Sequence, residues 1–319
     1  MRIVVALGGN ALLRRGEAMT PQTQRRNVRD AAAQLARVAP GNELVIVHGN
    51  GPQVGLLAAL GASAPPAQRF SLDVLDAQTE GMIGYLIELE LRNQMHAHES
   101  RACATLLTMV EVDRTDAAFA RPDKPVGTIL TRDEASAAAQ AHGWSVAADG
   151  DGFRRVVPSP APQRFLQLDA VRALLAQGSI VICAGGGGVP VVRTPGGQYD
   201  GVEAVVDKDR SAALLARAIE ADLFVIATDV DGVYLDWGTP HVRRVRRAHP
   251  DALAAYDFAA GSMGPKVEAA SDFARRTGRR ASIGALADIA RLAAGTAGTS
   301  VQTGEPGIVD DATGVPHAG

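Results

Sequence analysis

Three apolar runs in this chain empty into glycine. Ile3 to Leu7 breaks at Gly8-Gly9-Asn10, Leu44 to Val47 at His48-Gly49-Asn50-Gly51-Pro52, and Ile180 to Ala184 at Gly185 to Gly188. A continuous apolar run of this length reads as a strand buried on both faces, as in a parallel sheet covered by helices. Glycine at its carboxyl end leaves backbone N–H groups unshielded where open α/β sheets bind ligands, and such a concavity favours an anion. One Gly-Gly pair is equally compatible with a plain strand-to-loop connection. Three in the same relation to a buried strand point to an organised site.

The segments between these strands carry helical signals. Thr20-Pro21 supplies an N-cap and an N1 proline ahead of Val28, Ala31, Ala32, Leu35 and Ala36, and Pro40-Gly41 ends that helix. Pro52 opens another, and Ser71 can cap a long one through Met82, Ile83, Leu86, Ile87 and Leu91. Gly81 and Gly84 in that helix require a close neighbour, read here as another helix or a second subunit. Ala102 to Val112 reads as one strand. From about 113 to 162 the pattern is irregular: Arg121-Pro122-Asp123-Lys124-Pro125, a capping box at Thr131 and Glu134, the turn Asp149-Gly150-Asp151-Gly152, a short strand Phe153 to Val157, then Pro158-Ser159-Pro160. This is an insertion of the size of a lid.

Regular alternation then resumes, with a helix stopping at Gly178, a turn at Asp200-Gly201, a helix after Asp207-Lys208-Asp209, and a strand Leu223 to Ala227. A helix opened by Gly261-Ser262-Met263-Gly264-Pro265-Lys266, a strand Ala281 to Ile283, a helix Leu286 to Ala293 and a strand Thr299 to Thr303 follow, ahead of a polar tail expected to fray. Strands alternating with helices give an α/β fold with a mostly parallel sheet and helices on both faces.

Several function classes are disfavoured. A formal net charge of −3 leaves no basic footprint for nucleic acid, and the arginines at 243, 244, 246, 247, 275, 276, 279 and 280 read as solvated helix and loop faces. Cys103 and Cys183 each sit in an apolar run, as buried reduced thiols of a cytoplasmic protein would. No charged-then-apolar leader and no membrane-length apolar run are seen, so a soluble protein with no membrane partner is expected. Scattered histidines and two separate cysteines give no zinc spacing. G-x-x-x-x-G-K-[ST] is absent, and Gly8-Gly9-Asn10-Ala11 lacks the G-x-G-x-x-G spacing, which leaves a nicotinamide dehydrogenase as a weak alternative. His48 reads as a histidine satisfied by loop hydrogen bonds rather than as a catalytic base.

The chain is poor in lysine and leans on arginine, yet Lys124, Lys208 and Lys266 all stand at element ends beside proline, aspartate or glycine rather than on polar helix faces. Point charges so placed suit an anion, and phosphoryl transfer, which is mostly positioning and electrostatic stabilisation, needs such a set.

These stretches carry a resemblance. Val4 to Leu12, Val47 to Gly55, Lys124-Pro125-Val126-Gly127, Val156 to Pro160, Gly185 to Pro190, Gly201 to Asp209 and Gly261 to Val267 are similar, in order and in register, to the carbamate kinases of the amino acid kinase superfamily. The resemblance implies a three-layer αβα sandwich with a small inserted lid, a homodimer, and reversible transfer between ATP plus carbamate and ADP plus carbamoyl phosphate. It places the acceptor side in residues 1–178, with the lid at about 113–162, and the nucleotide side in 179–319. Gly8, Gly9, Asn10, Gly49, Asn50 and Gly51 would hold carbamate and the transferring phosphoryl. Lys124, Lys208 and Lys266 would neutralise phosphates, and Asp209 would orient lysines or reach the metal. Thr228, Asp229, Val230, Asp231, Tyr234 and Met263 would line the nucleotide pocket. Magnesium would travel on the nucleotide phosphates, with no protein ligand assigned. Acetylglutamate-type relatives carry a lysine two positions before the Gly-Gly pair, where this chain has Ala6, so Lys124 would supply that charge from the insertion. Two departures stand out: Gly127 is followed by Thr128-Ile129 where the family commonly has Pro-Phe, and the tail after Thr303 has no counterpart. A glutamate or acetylglutamate kinase, or a non-catalytic nucleotide sensor, stays open beside this reading.

Overall fold

Side by side, the three glycine-terminated strands form the middle of one sheet. In the computed structural model, which describes residues 1–13, 17–95, 101–259 and 261–311, with residues 10 and 11 described by their backbone alone, Arg2–Leu7 pairs in parallel with both Glu43–His48 and Leu223–Thr228. Glu43–His48 pairs in parallel with Ile180–Ile182 in turn. The registers Leu7↔His48 and Leu7↔Ala227 bring the strand ends, and the turns beyond them, to one edge. The whole sheet has ten strands, in the order Val233–Leu235, Arg243–Ala248, Thr299–Val301, Arg280–Ala285, Leu223–Thr228, Arg2–Leu7, Glu43–His48, Ile180–Ile182, Cys103–Thr105, with Ile308–Asp311 added beside Arg243–Ala248.

Alternate residues of each strand feed two cores. Val4, Ala6, Val45, Val47, Phe224 and Ile226 pack with Val171, Leu215, Ala270 and Phe273 of the helices Leu168–Ala176, Lys208–Ala218 and Met263–Thr277. Ile3, Val5, Leu7, Leu44 and Ile46 pack on the opposite face with Val28 and Leu35 of Pro21–Val38 and Ile83 and Ile87 of Leu72–Met95. The result is the expected αβα sandwich. Burial of each such side chain is worth about 1.5–3 kcal/mol, which explains how the central parallel strands, paired only with partners far along the chain, hold their register. The capping signals act as read: Thr20 Oγ1 accepts from the Thr23 N–H at 3.2 Å, and Thr131 and Glu134 complete a capping box at the helix Arg132–His142. Among the described residues no helix is long and apolar enough to cross a membrane. Cys103 and Cys183 are buried and unbridged.

Five local readings are corrected. Ala102 to Val112 is two strands in two sheets. Cys103–Thr105 edges the main sheet, while Met109–Val112 joins Val189–Arg193, Tyr199–Gly201 and Pro162–Phe165 in a second sheet of four. Buried Thr108 redirects the chain between them, its N–H on Glu80 Oε2 (3.1 Å) and its hydroxyl accepting from the Ala184 N–H (3.0 Å). Gly84 meets that edge strand rather than a helix or subunit: a Cβ there would lie 2.4 Å from Thr105 Cγ2. Asp200-Gly201 lies in a strand, the turn falling at Thr194 to Gly197, whose N–H bonds back to Thr194 at 2.9 Å. Arg243, Arg244, Arg246 and Arg247 lie on a strand, and Arg280 opens one. The tail returns as Ile308–Asp311, antiparallel to Arg243–Ala248. Charge complementarity holds it there, with Arg243 2.8 Å from Asp310 and Arg246 3.5 Å from Asp311.

The insertion forms a separate small sheet, Lys124–Leu130, Gly152–Val157 and Ser145–Asp149, flanked by the Arg132–His142 helix. It docks on the helix Gly51–Ala62 backbone to backbone: a Cβ on Gly55 would come 2.0 Å from Gly127 Cα, and Gly127 itself has φ +79°. No side chain fits between them.

Candidate active site

A cleft of about 420 Å³ opens at the carboxyl edge of the sheet, with Gly8, Gly9, Gly49, Asn50 and Gly51 on its floor and Lys124, Lys208, Asp209, Thr228, Asp229 and Lys266 around it. The first two turns abut so closely that a Cβ on Gly49 would lie 2.9 Å from the Gly9 nitrogen, so the backbone itself forms the floor. The three lysines arrive from three places. Lys124 begins the first lid strand. Lys208 begins a helix whose N-cap is Asp207, the Asp207 carboxylate accepting from the N–H groups of Asp209 (2.9 Å) and Arg210 (3.1 Å). Lys266 sits in the first turn of Met263–Thr277, where its charge adds to the positive end of the helix dipole.

Two carboxylates gather the three ammonium groups. Lys208 Nζ is 2.5 Å from Asp209 Oδ1, Lys266 Nζ is 3.3 Å from Asp209 Oδ2, and Lys124 Nζ is 2.8 Å from Asp207 Oδ2. Burial works against a charge on Asp207, but Lys124, then Lys208 and the helix N–H groups, outweigh it and hold this carboxyl well below the usual range. Burial lowers the Lys208 pKa, with Asp209 opposing and Lys266 reinforcing the shift. The arrangement presents cations held in place by their own counter-ions, ready to exchange part of that pairing for phosphate oxygens.

Beneath the floor lies a buried polar layer that the sequence did not announce. Glu80 accepts from the N–H groups of Gly185 (2.9 Å) and Thr108 (3.1 Å), and burial pushes its carboxyl up to about 8. Asp76 and Thr79 receive the Asn50 side chain. His48 is wholly buried, its Nδ1 3.2 Å from the Gly49 carbonyl, and burial lowers its pKa to about 4, so it is neutral. It is absent from the cleft lining, and its Nε2 is buried without a hydrogen-bond partner among the described residues, so the expected satisfaction by loop hydrogen bonds is met at one ring nitrogen and not at the other. The one signal that could have exposed this layer is polar residues at positions 76, 79 and 80 on the same helix face as Leu72, Leu75, Ile83 and Ile87. Asp207, the partner of Lys124, was likewise read only as a flank of its helix.

Not every expected residue reaches the cleft. Val230, Asp231, Tyr234 and Met263 are outside its lining. Asp231 takes the Tyr234 hydroxyl at 2.7 Å and Arg244 at 3.3 Å, and borders a different, arginine-lined cavity, while Met263 packs on the core. The Asn10 side chain lies outside the described residues. Among the described residues no group of three or more His, Cys, Asp or Glu could hold a metal ion. Asp207 and Asp209 are paired with lysines.

A family model described as the amino acid kinase family matches residues 1–285. The carbamate kinase of Haemophilus influenzae is 53% identical over 308 residues, spanning 97% of this chain and 99% of that one. The chain belongs to the amino acid kinase family, among its carbamate kinases. A second carbamate kinase, from Escherichia coli (strain K12), is 48% identical over 299 residues, 94% of this chain and 98% of that one. The solved structure of carbamate kinase from Giardia lamblia bound to AMP-PNP superposes with a TM-score of 0.85 at 36% identity, covering 94% of this chain and 98% of that chain. Carbamate kinase likeness over nearly the whole length includes the inserted sheet that carries Lys124.

Proposed function

We propose that this enzyme transfers a phosphoryl group reversibly and in line between ATP plus carbamate and ADP plus carbamoyl phosphate. The observation that carries the reading is the convergence of Lys124, Lys208 and Lys266, from the lid and two separate helix starts, on a floor of glycine backbone. Gly8, Gly9, Gly49, Asn50 and Gly51, with Asn10, hold the acceptor and the transferring phosphoryl. The lysines offset the charge that develops on its oxygens, and Asp209 keeps two of them apart and aimed. Carbamate is already an anionic nucleophile, so no base is required. Residues 179–319 take the nucleotide, with Thr228 and Asp229 at the cleft; that a nucleotide is a substrate is supported by the Giardia lamblia relative solved bound to AMP-PNP. Magnesium belongs to this reading as part of the nucleotide substrate, carried by the phosphates.

The test is ATP formation from carbamoyl phosphate and ADP, run beside ATP with glutamate, acetylglutamate and UMP. Turnover with carbamoyl phosphate alone is expected. Phosphorylation of one of the others, or no turnover at all, overturns the reading. The unbridged, buried cysteines suit a reducing cytoplasm. A homodimer is supported by Val74, Met82 and Tyr85, exposed along the outer face of Leu72–Met95 beside exposed Leu107 and Met109. Tyr85→Arg would then give a monomer by sedimentation.

A further inference from the structure

Asn50 borders the cleft while only 2% exposed, and its amide is tightly held. Nδ2 donates to Asp76 Oδ1 at 2.8 Å and to Thr79 Oγ1 at 2.9 Å. The Thr79 hydroxyl has a single hydrogen, directed at the Asp76 carbonyl 2.9 Å away, so toward Asn50 it can only accept. Asp76 Oδ1 can accept whether or not the carboxyl is protonated. Burial pushes that carboxyl well above its ordinary range, and Oδ2 is sealed in without a partner. The NH2 end of Asn50 is therefore committed to the Leu72–Met95 helix.

The other end of the amide is of the opposite kind. No donor among the described residues bonds Asn50 Oδ1, and it is not among the sealed, unpartnered atoms. It is an acceptor bordering a cleft whose other lining includes the lysines at 124, 208 and 266. Phosphoryl and carboxylate oxygens gain nothing from a fixed carbonyl oxygen and are repelled by it. The substrate group that can meet it is an amino N–H.

We propose that Asp76 and Thr79 are positioning residues that lock the Asn50 amide with its oxygen toward the cleft, where it accepts from the substrate NH2 and so selects a carbamoyl group over an acyl group of the same size without N–H. This deepens the carbamate kinase reading above and rests on it. A site built to pair a substrate N–H rejects the analogue that lacks it, because the buried acceptor is then left unpaired.

The experiment compares kcat/KM for ATP formation from carbamoyl phosphate and from acetyl phosphate, at saturating ADP, with the KM for ADP as the measure of an intact fold. Thr79→Val and Asp76→Leu each free the amide to turn. Each is expected to lower the preference for carbamoyl phosphate about tenfold, mainly through its KM, with the ADP KM unchanged. Asp76→Asn still offers an oxygen to the Asn50 NH2 and is expected to keep the preference. A wild type that makes ATP from neither donor overturns the carbamate kinase reading and this inference with it. An active wild type whose preference survives in Thr79→Val and Asp76→Leu, or falls equally in Asp76→Asn, overturns this inference alone. Should Asp76→Leu fail to fold, Thr79→Val decides.

Discussion

On the sheet side of the cleft, Lys208 and Lys266 stand on helices packed into the core, and the floor beneath them rests on buried Asp76, Thr79 and Glu80. On the lid side, Lys124 stands at the end of a three-stranded sheet that, with its flanking helix, buries few apolar residues, Val126, Ala135, Val156 and Val157. The first wall is fixed by a core of two faces; the second is held by one close backbone contact, one ion pair and a small apolar cluster in which Val126 and Val157 meet Val54, Ala58, Leu72, Leu75 and Val205. Charge of the same sign is thus delivered at two stiffnesses. On the proposed reaction, the rigid wall would define where the phosphoryl sits, and the lid would complete the charge when docked.

The sharpest way to break this comparison is Lys124→Ala. Removing one preorganised donor is expected to cost about 2.7–4 kcal/mol in transition-state stabilisation, roughly 10²–10³ in kcat, with ADP affinity largely intact. Near-normal turnover would mean that the rigid wall suffices. Gly55→Ala tests the docking itself. Its Cβ would strike the Gly127 backbone, and the helix propensity gained, up to about 1 kcal/mol, only partly offsets the lost docking, so Tm is expected to fall while misplacement lowers kcat by up to about 10². An unchanged kcat would show that the lid need not dock there. Lys266→Ala should lower kcat at least about tenfold, and by more than it raises the KM for ADP; the reverse split would make this residue a nucleotide anchor.

A gentler probe addresses the layer under the rigid wall. The folded value of Glu80 is raised to about 8, so between its unfolded value and there the folded chain binds the extra proton. Its contribution is complete below the unfolded value and is lost as pH rises through about 8. Thermal melts from pH 5 to 8.5 should therefore show Glu80→Gln gaining on wild type as pH rises, and a constant difference would count against a buried protonated acid. The smallest effect is expected at His48→Asn, which should keep most of kcat. A drop beyond roughly a hundredfold, the lower end of general-base contributions, would restore the histidine to the chemistry.

Much of this was legible because local and global signals agree. The apolar runs, the Thr20-Pro21 start, the Thr131 capping box and the glycine turns each announce in a few residues what the fold does with them. The lysines were legible for the converse reason, as charges at element ends where no solvated face would put them. Asp76 and Glu80 were not, since a carboxylate inside a helix normally marks the solvent side and only the strand ends across the cleft show that it faces inward. The Arg243–Ala248 strand was hidden because its neutralising partners, Asp310 and Asp311, lie far along the chain. The break after Thr105 depends on Glu80, and no local window contains both.

The Gly55 and Gly127 contact has a mechanical corollary. Two backbones touching with no side chain between them act as a pivot: sliding is blocked in one direction, and tilting is opposed by the small apolar cluster of Val126 and Val157 with Val54, Ala58, Leu72, Leu75 and Val205. Lys124 lies three residues from Gly127, a lever arm of roughly 10 Å at about 3.3 Å per residue, so a tilt of about 15° displaces its backbone by roughly 2.6 Å. That is comparable to the 2.8 Å separating its ammonium from Asp207. Small rotations of the inserted sheet are enough to couple or uncouple the third cation, with no hinge loop having to refold.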